Sequence, residues 1–287
     1  MRAHLVQLDI TWEDRQANFD RVERLLSGGR AEVREGDLVV LPEMFDTGFS
    51  LNTGSTADRD SATLRYLTQL AGDLKVTVQG GRTVVPKGSP PLPPLLAENR
   101  APIIGPDGRL IAEYAKVHPF SFGREPERFR GGTEVLTYPW EAAPPDGHSP
   151  LTVCPAICYD LRFPELFRRG LLKGAELFAV GANWPDTGGR QHHWRALLIA
   201  RAIENQAFVL GVNRTGRDPT LNYVGGSIAI GPRGEVLGEL GPEEAVLSVE
   251  INPRDLRAWR ETFPAWRDIR LIAGSGSGGG SASGPSS

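Results

Sequence analysis

Two cysteines, Cys154 and Cys158, lie in LTVCPAICYDLRFPE, where an apolar strand-like run gives way to a helical pattern beginning near Pro164. A thiol at the carboxyl end of a strand in an alternating α/β chain stands at the sheet edge where ligands collect. A helix start close by can lower its pKa and raise its thiolate fraction. Cys158 is therefore a candidate nucleophile, and the alternative is a buried structural thiol, the commoner fate of a free cysteine. Cys154 lies four residues earlier, about 13 Å along the same strand. That is too far for a disulfide and poor spacing for a metal site, so Cys154 is assigned to the core.

A thiol nucleophile needs a base. None of the five histidines, His4, His118, His148, His192 and His193, has the surroundings of a catalytic partner. The adjacent His192 and His193 would point about 100° apart on a helix, which suits a capping or solvent-facing role. Glu43 in LVVLPEMFDTGFS follows a buried strand at the same sheet edge. A partly desolvated carboxylate there suits proton transfer; the alternative is a surface-loop glutamate. Lys116 closes a hairpin strand in LIAEYAKVHPF. Turned into the cleft, its charge would stabilise a developing oxyanion; turned out, it would be an edge lysine that discourages aggregation. No His/Asp/Glu cluster has ligand spacing, so no metal is expected, and no phosphate loop of the G-x-x-x-x-G-K-[ST] kind points to a nucleotide or other cofactor.

The elements that must position these groups alternate in type. Short apolar runs at His4–Leu8, Leu38–Leu41, Val76–Val85, Leu151–Ile157, Glu176–Gly181, Ala207–Asn213 and Ala245–Ile251 read as strands. Helical periodicity marks Phe19–Leu26, Leu64–Leu74, Pro164–Lys173 and His192–Gln206. Asn252-Pro253 supplies an N-cap followed by proline at the first helical position, and the proline-rich stretch at 86–94 reads as loop. The segments IGPDGRLIAE at 104–113 and IGPRGEVLGE at 230–239 recur at the same place in two β-α-β-α-β-hairpin runs. This favours an internal duplication: an α/β fold with two sheets face to face and helices on both outer faces, a four-layer α-β-β-α sandwich. The alternative is two ordinary α/β units with coincident turns.

The chain has 287 residues, a net charge of −3 and 40% hydrophobic residues. Residues 1–273 read as one globular domain, large enough to need no staple, and the Gly/Ser-rich 274–287 as a flexible tail. No basic patch suggests nucleic acid, and no apolar run is long enough for a membrane span. With no signal-peptide pattern and no cysteine framework, a cytoplasmic protein is expected.

Taken together, LPEMF around Glu43, YAKVHPF around Lys116 and ICYDLRFPE around Cys158 resemble the nitrilase superfamily of carbon–nitrogen hydrolases. The likeness extends over residues 3–265, with further matches at NWP (183–185), HWRALLIARAIENQ (193–206) and NRTGRD (213–218). PEMFDTGFS and KVHPFSFGREPERF are most similar to the ω-amidase branch, which hydrolyses the terminal amide of short 2-oxo acids. The resemblance implies a Glu43-Lys116-Cys158 triad, a second glutamate best matched by Glu125 with Glu127 close by, a thioester mechanism and a homodimer. The Tyr159 backbone N–H would share the oxyanion with Lys116. A small-molecule substrate bearing a carboxylate needs a cation, for which Arg162, Arg195 and Arg201 are candidates. Phe45, Tyr159, Phe163 and Trp184 would wall a small cleft or belong to the core. The same triad would serve an N-carbamoyl amino acid hydrolase, an aliphatic amidase or a nitrilase. From another class, the fold could persist as a catalytically idle binding protein.

Overall fold

The computed structural model describes residues 1–28, 31–86, 96–141 and 149–271. The first half contributes β1 (Arg2–Gln7), α1 (Arg15–Ser27), β2 (Leu38–Val40), α2 (Thr53–Thr56), α3 (Ala62–Leu74), β3 (Thr77–Gln79), β4 (Arg82–Val84), β5 (Glu98–Ile104) and β6 (Leu110–Ala115). The second contributes β7 (Tyr138–Trp140), β8 (Leu151–Ile157), α4 (Pro164–Leu172), β9 (Leu177–Ala182), α5 (Arg190–Asn205), β10 (Phe208–Asn213), β11 (Thr215–Arg217), β12 (Asn222–Val224), β13 (Ile228–Ile230), β14 (Val236–Glu239), β15 (Ala245–Glu250) and α6 (Pro253–Thr262). In each half three parallel strands, β1-β2-β3 or β8-β9-β10, are extended by an antiparallel hairpin.

The two hairpins match in detail. The register shifts between Ile103 and Ile104 in one and between Ala229 and Ile230 in the other. Gly105 N–H donates to Arg109 O and Gly231 N–H to Glu235 O, both at 2.8 Å. Gly108 and Gly234 hold the corresponding turns at φ +74° and +88°, a region that costs glycine nothing. One ladder crosses between the halves: β15 pairs antiparallel with β1.

Side-chain alternation sorts the core into layers. Leu5, Leu38, Val40, Leu177, Ala179 and Leu210 meet between the sheets. Their strand neighbours Val6 and Val39 turn outward onto Phe19, Val22 and Leu67 of α1 and α3. On the other side Phe178, Val180 and Val209 pack on Phe167, Trp194 and Leu198 of α4 and α5. The result is the four-layer α-β-β-α sandwich. Asn252 caps α6 through Arg254 N–H at 3.1 Å, with Pro253 at its first position. The Gly/Ser tail, His148 and most of the proline-rich stretch lie outside the described residues. Among those described, no helix is long and apolar enough to cross a membrane.

One expected strand is broken. Val76–Val85 forms two short strands, β3 and β4, separated at Gly80-Gly81. A Cβ on Gly81 would sit 2.3 Å from the Met44 nitrogen and 2.9 Å from Glu43 Cα. From the opposite sheet, a Cβ on Gly181 would approach Leu41 O at 2.9 Å and Glu43 N at 3.2 Å. Two bare backbones therefore leave the space into which the turn after β2 fits.

Candidate active site

That turn carries Glu43 into the interior, where it is 1% exposed. Its Oε1 accepts from Lys116 Nζ at 2.8 Å and Asn99 Nδ2 at 2.7 Å, and its Oε2 from Asn183 N–H at 2.9 Å. Asn183 Nδ2 also donates to Glu43 O at 2.7 Å, fixing the backbone of the turn. Lys116, just past β6, is equally buried and donates to Glu125 Oε2 at 2.8 Å. Glu125 is held by Phe120 N–H at 2.5 Å and Asn99 Nδ2 at 3.1 Å. Glu127 instead sits on the surface against Arg124. Burial alone would push the Lys116 ammonium down, but the charges of Glu125 and Glu43 outweigh it and hold the group protonated.

Cys158 opens the short 3₁₀ turn Cys158–Arg162 at the end of β8, with φ +47°. A left-handed conformation costs a non-glycine residue roughly 1–2 kcal/mol, and Asp160 offsets it. The buried Asp160 carboxylate accepts from Ile157 N–H at 3.0 Å, Tyr114 Oη at 2.7 Å, His118 N–H at 3.0 Å and His118 Nδ1 at 2.8 Å. Tyr114 and His118 flank Lys116, so one carboxylate ties the thiol turn to the lysine segment.

The thiol contradicts one expectation. Burial and then the charge of Glu43 push Cys158 well above the ordinary cysteine range, and the opposing pull of Lys116 is weaker. The nearby helix start does not yield a resting thiolate; the group rests as a thiol beside a carboxylate able to take its proton. Cys154 is fully buried in the core, its pKa raised chiefly by burial.

Glu43, Lys116 and Cys158 share the wall of one cavity of about 400 Å³. Tyr159, Arg162 and Trp184 line it too, as do Phe49, Phe120, Leu221 and Tyr223. Tyr159 is the second residue of its turn, so its N–H has no partner within that turn. The Arg162 guanidinium lies 4.7 Å over the Trp184 ring. Asp218, also in the wall, is occupied by Tyr223 Oη, Thr220 and Leu221. Burial works to raise its pKa, but those hydrogen bonds prevail and lower it.

Four expected pocket residues stand elsewhere. Phe45, two residues past Glu43, faces the outer helices and packs against Phe19 and Tyr66 at ring-centroid distances of 6.0 and 6.2 Å. Arg195 points to solvent and pairs with Glu239 at 3.1 Å, because it is one position beyond the buried Trp194. Arg201 is buried against Leu161 O, which it contacts through two nitrogens at 3.1 and 2.7 Å. Phe163 stacks on His118 at 3.8 Å behind the Cys158 turn. Sequence reasoning missed Asn99, Asn183 and Arg190. Asn183 lay inside the matched NWP segment, the one signal that pointed to it.

A thiol, a carboxylate and an ammonium enclosed together in an α-β-β-α sandwich define a thiol hydrolase of amide-like bonds. The chain belongs to the carbon–nitrogen hydrolase family, whose model matches residues 2–261. It is 34% identical to 2-oxoglutaramate amidase of Bacillus subtilis (strain 168) over 92% of this chain and 96% of the relative. It is 32% identical to omega-amidase YafV of Escherichia coli (strain K12) over 93% and 96% respectively. Among solved structures it is similar to XC1258 from Xanthomonas campestris, a CN-hydrolase superfamily protein with an arsenic adduct in its active site. The identity there is 32% and the TM-score 0.83, covering 95% of this chain and 98% of that one.

Proposed function

We propose that the protein is an ω-amidase that hydrolyses the terminal amide of a small 2-oxo acid such as 2-oxoglutaramate. The observation that carries this reading is the convergence of Cys158, Glu43 and Lys116 on one cavity that also holds Arg162. Among the described residues Arg162 has no carboxylate partner, so its N–H fork is available to a substrate carboxylate.

In this mechanism Glu43 takes the thiol proton as the Cys158 sulfur attacks the amide carbon. The oxyanion is held by the Lys116 ammonium and the Tyr159 N–H. The carbon–nitrogen bond breaks as Glu43 returns its proton to the departing ammonia, leaving a thioester. Glu43 then deprotonates a water that attacks the thioester, releasing the acid and restoring the thiol. Covalent catalysis divides one slow hydrolysis into two easier steps. Glu125 holds Lys116 in place. Residues 1–273 act as the catalytic unit, and 274–287 as an appended tail. A cytoplasmic homodimer, implied by composition and resemblance, is part of the same reading; the half-exposed Leu172 on α4 and Ile203 on α5 support a covered outer face.

Ammonia release by the purified chain tests the substrate, with 2-oxoglutaramate set against N-carbamoyl amino acids, neutral aliphatic amides and nitriles. The highest kcat/KM is expected for 2-oxoglutaramate; faster turnover of any other class removes the ω-amidase reading. Cys158→Ala is expected to abolish turnover, and near wild-type activity in that variant would refute the thioester route.

A further inference from the structure

The cavity is more than a five-carbon substrate needs. It adjoins an outer recess of about 460 Å³, and both are lined by Phe120, Pro185, Arg190 and Leu221. Arg162 lines only the inner cavity and lies four residues from the nucleophile; Arg190 lines both and so marks the passage outward. Its guanidinium lies 4.8 Å over the ring of Phe122, which is 75% exposed. Stacking occupies the face of a guanidinium and leaves its in-plane N–H groups free. Among the described residues no carboxylate pairs with Arg190. The shared walls other than Arg190 carry no charge.

We propose that Arg190 is an outer carboxylate site, which extends the substrate range to ω-amides with longer, apolar acyl chains than a five-carbon 2-oxo acid. This rests on the ω-amidase reading above. Arg162 receives the carboxylate of a short substrate, whose backbone ends in the inner cavity. A longer chain runs its methylenes past Phe120, Pro185 and Leu221 and delivers its carboxylate to Arg190. Each CH₂ buried on that path is worth about fourfold in affinity, and the charge-assisted fork about 10- to 100-fold.

The test measures kcat/KM for monoamides of four- to eight-carbon dicarboxylic acids, with each acid compared with its neutral methyl ester. In the wild type the long acids are expected to exceed their esters at least 10-fold. Arg190→Gln is expected to lower the long-to-short selectivity ratio about 10- to 100-fold, mainly through KM. Arg162→Gln is expected to move that ratio the other way, and Arg190→Lys to recover part of the loss. If Arg190→Gln leaves the ratio where it was, or if long acids and esters react alike in the wild type, the outer site is wrong while the short-substrate activity stands. Ammonia release from neutral amides but from none of the carboxylate-bearing ones takes down both this inference and the ω-amidase reading. The acid-against-ester comparison uses only the wild-type chain, so it decides the matter even if a variant fails to fold.

Discussion

At the residue scale the site is a balance of buried charge. Two carboxylates, Glu43 and Glu125, flank one ammonium, each 2.8 Å from Lys116 Nζ. Removing that ammonium strands both. Lys116→Ala is therefore expected to cost about 3–5 kcal/mol of stability and at least 10²–10³-fold in kcat. Denaturant melts and steady-state rates check this, and a variant as stable as the wild type would show that the lysine is not the counter-ion. Glu43 has an opposite effect on the thiol. Its charge is one cause of the raised Cys158 pKa, so Glu43→Gln should lower that pKa while removing the proposed base. Thiolate absorbance near 240 nm should then appear at lower pH than in the wild type, and turnover should fall about 10²–10⁴-fold. An unmoved or raised titration would mean that Glu43 does not face the thiol.

At the element scale the decisive feature is the fit of the turn after β2 between two glycine backbones. Gly81→Ala would push a methyl group against Met44 N and Glu43 Cα, displacing the carboxylate. It is expected to lower both stability and kcat. Gly72→Ala is the contrast: it lies within α3 with open space around its Cβ, and should stabilise by about 0.5–1 kcal/mol. Thermal melts of the two variants should move in opposite directions. The sequence made the parallel strands and both hairpins legible because side-chain period and turn residues are local signals. The break at Gly80-Gly81 was not legible, since its cause is a turn almost forty residues earlier. Orientation was equally hidden. Phe45 follows Glu43 closely yet faces the opposite layer, and Arg195 shares a matched segment with Trp194 but points outward. Asn99 lies on β5 beside Glu98, where nothing in the local pattern distinguishes a partner of Glu43 from an exposed polar residue.

At the scale of the whole molecule, the end of the described chain joins what the duplication leaves separate. β15 returns to the first sheet and makes β1 an interior strand. Directly afterwards α6 closes on the second sheet: Arg257 reaches Glu176 at 2.7 Å and Pro150 O at 2.9 Å, and Arg260 reaches Ala175 O at 2.8 Å and Gln206 O at 2.9 Å. Val249, Ile251 and Leu256 enter the layer between the sheets. Each such burial contributes roughly 1.5–3 kcal/mol, against about 5–15 kcal/mol for a whole domain. Ending the chain after Glu244 would remove all three and leave β1 an unpaired edge, which invites aggregation. That truncation is expected to abolish the cooperative thermal transition and the activity together. Leu256→Ala should retain the fold at a cost of about 2–5 kcal/mol. Deleting 274–287, whose composition gives it nothing to bury, should leave the transition temperature unchanged. A cooperative melt in the Glu244 truncation would mean that the two sheets hold together without β15 and α6.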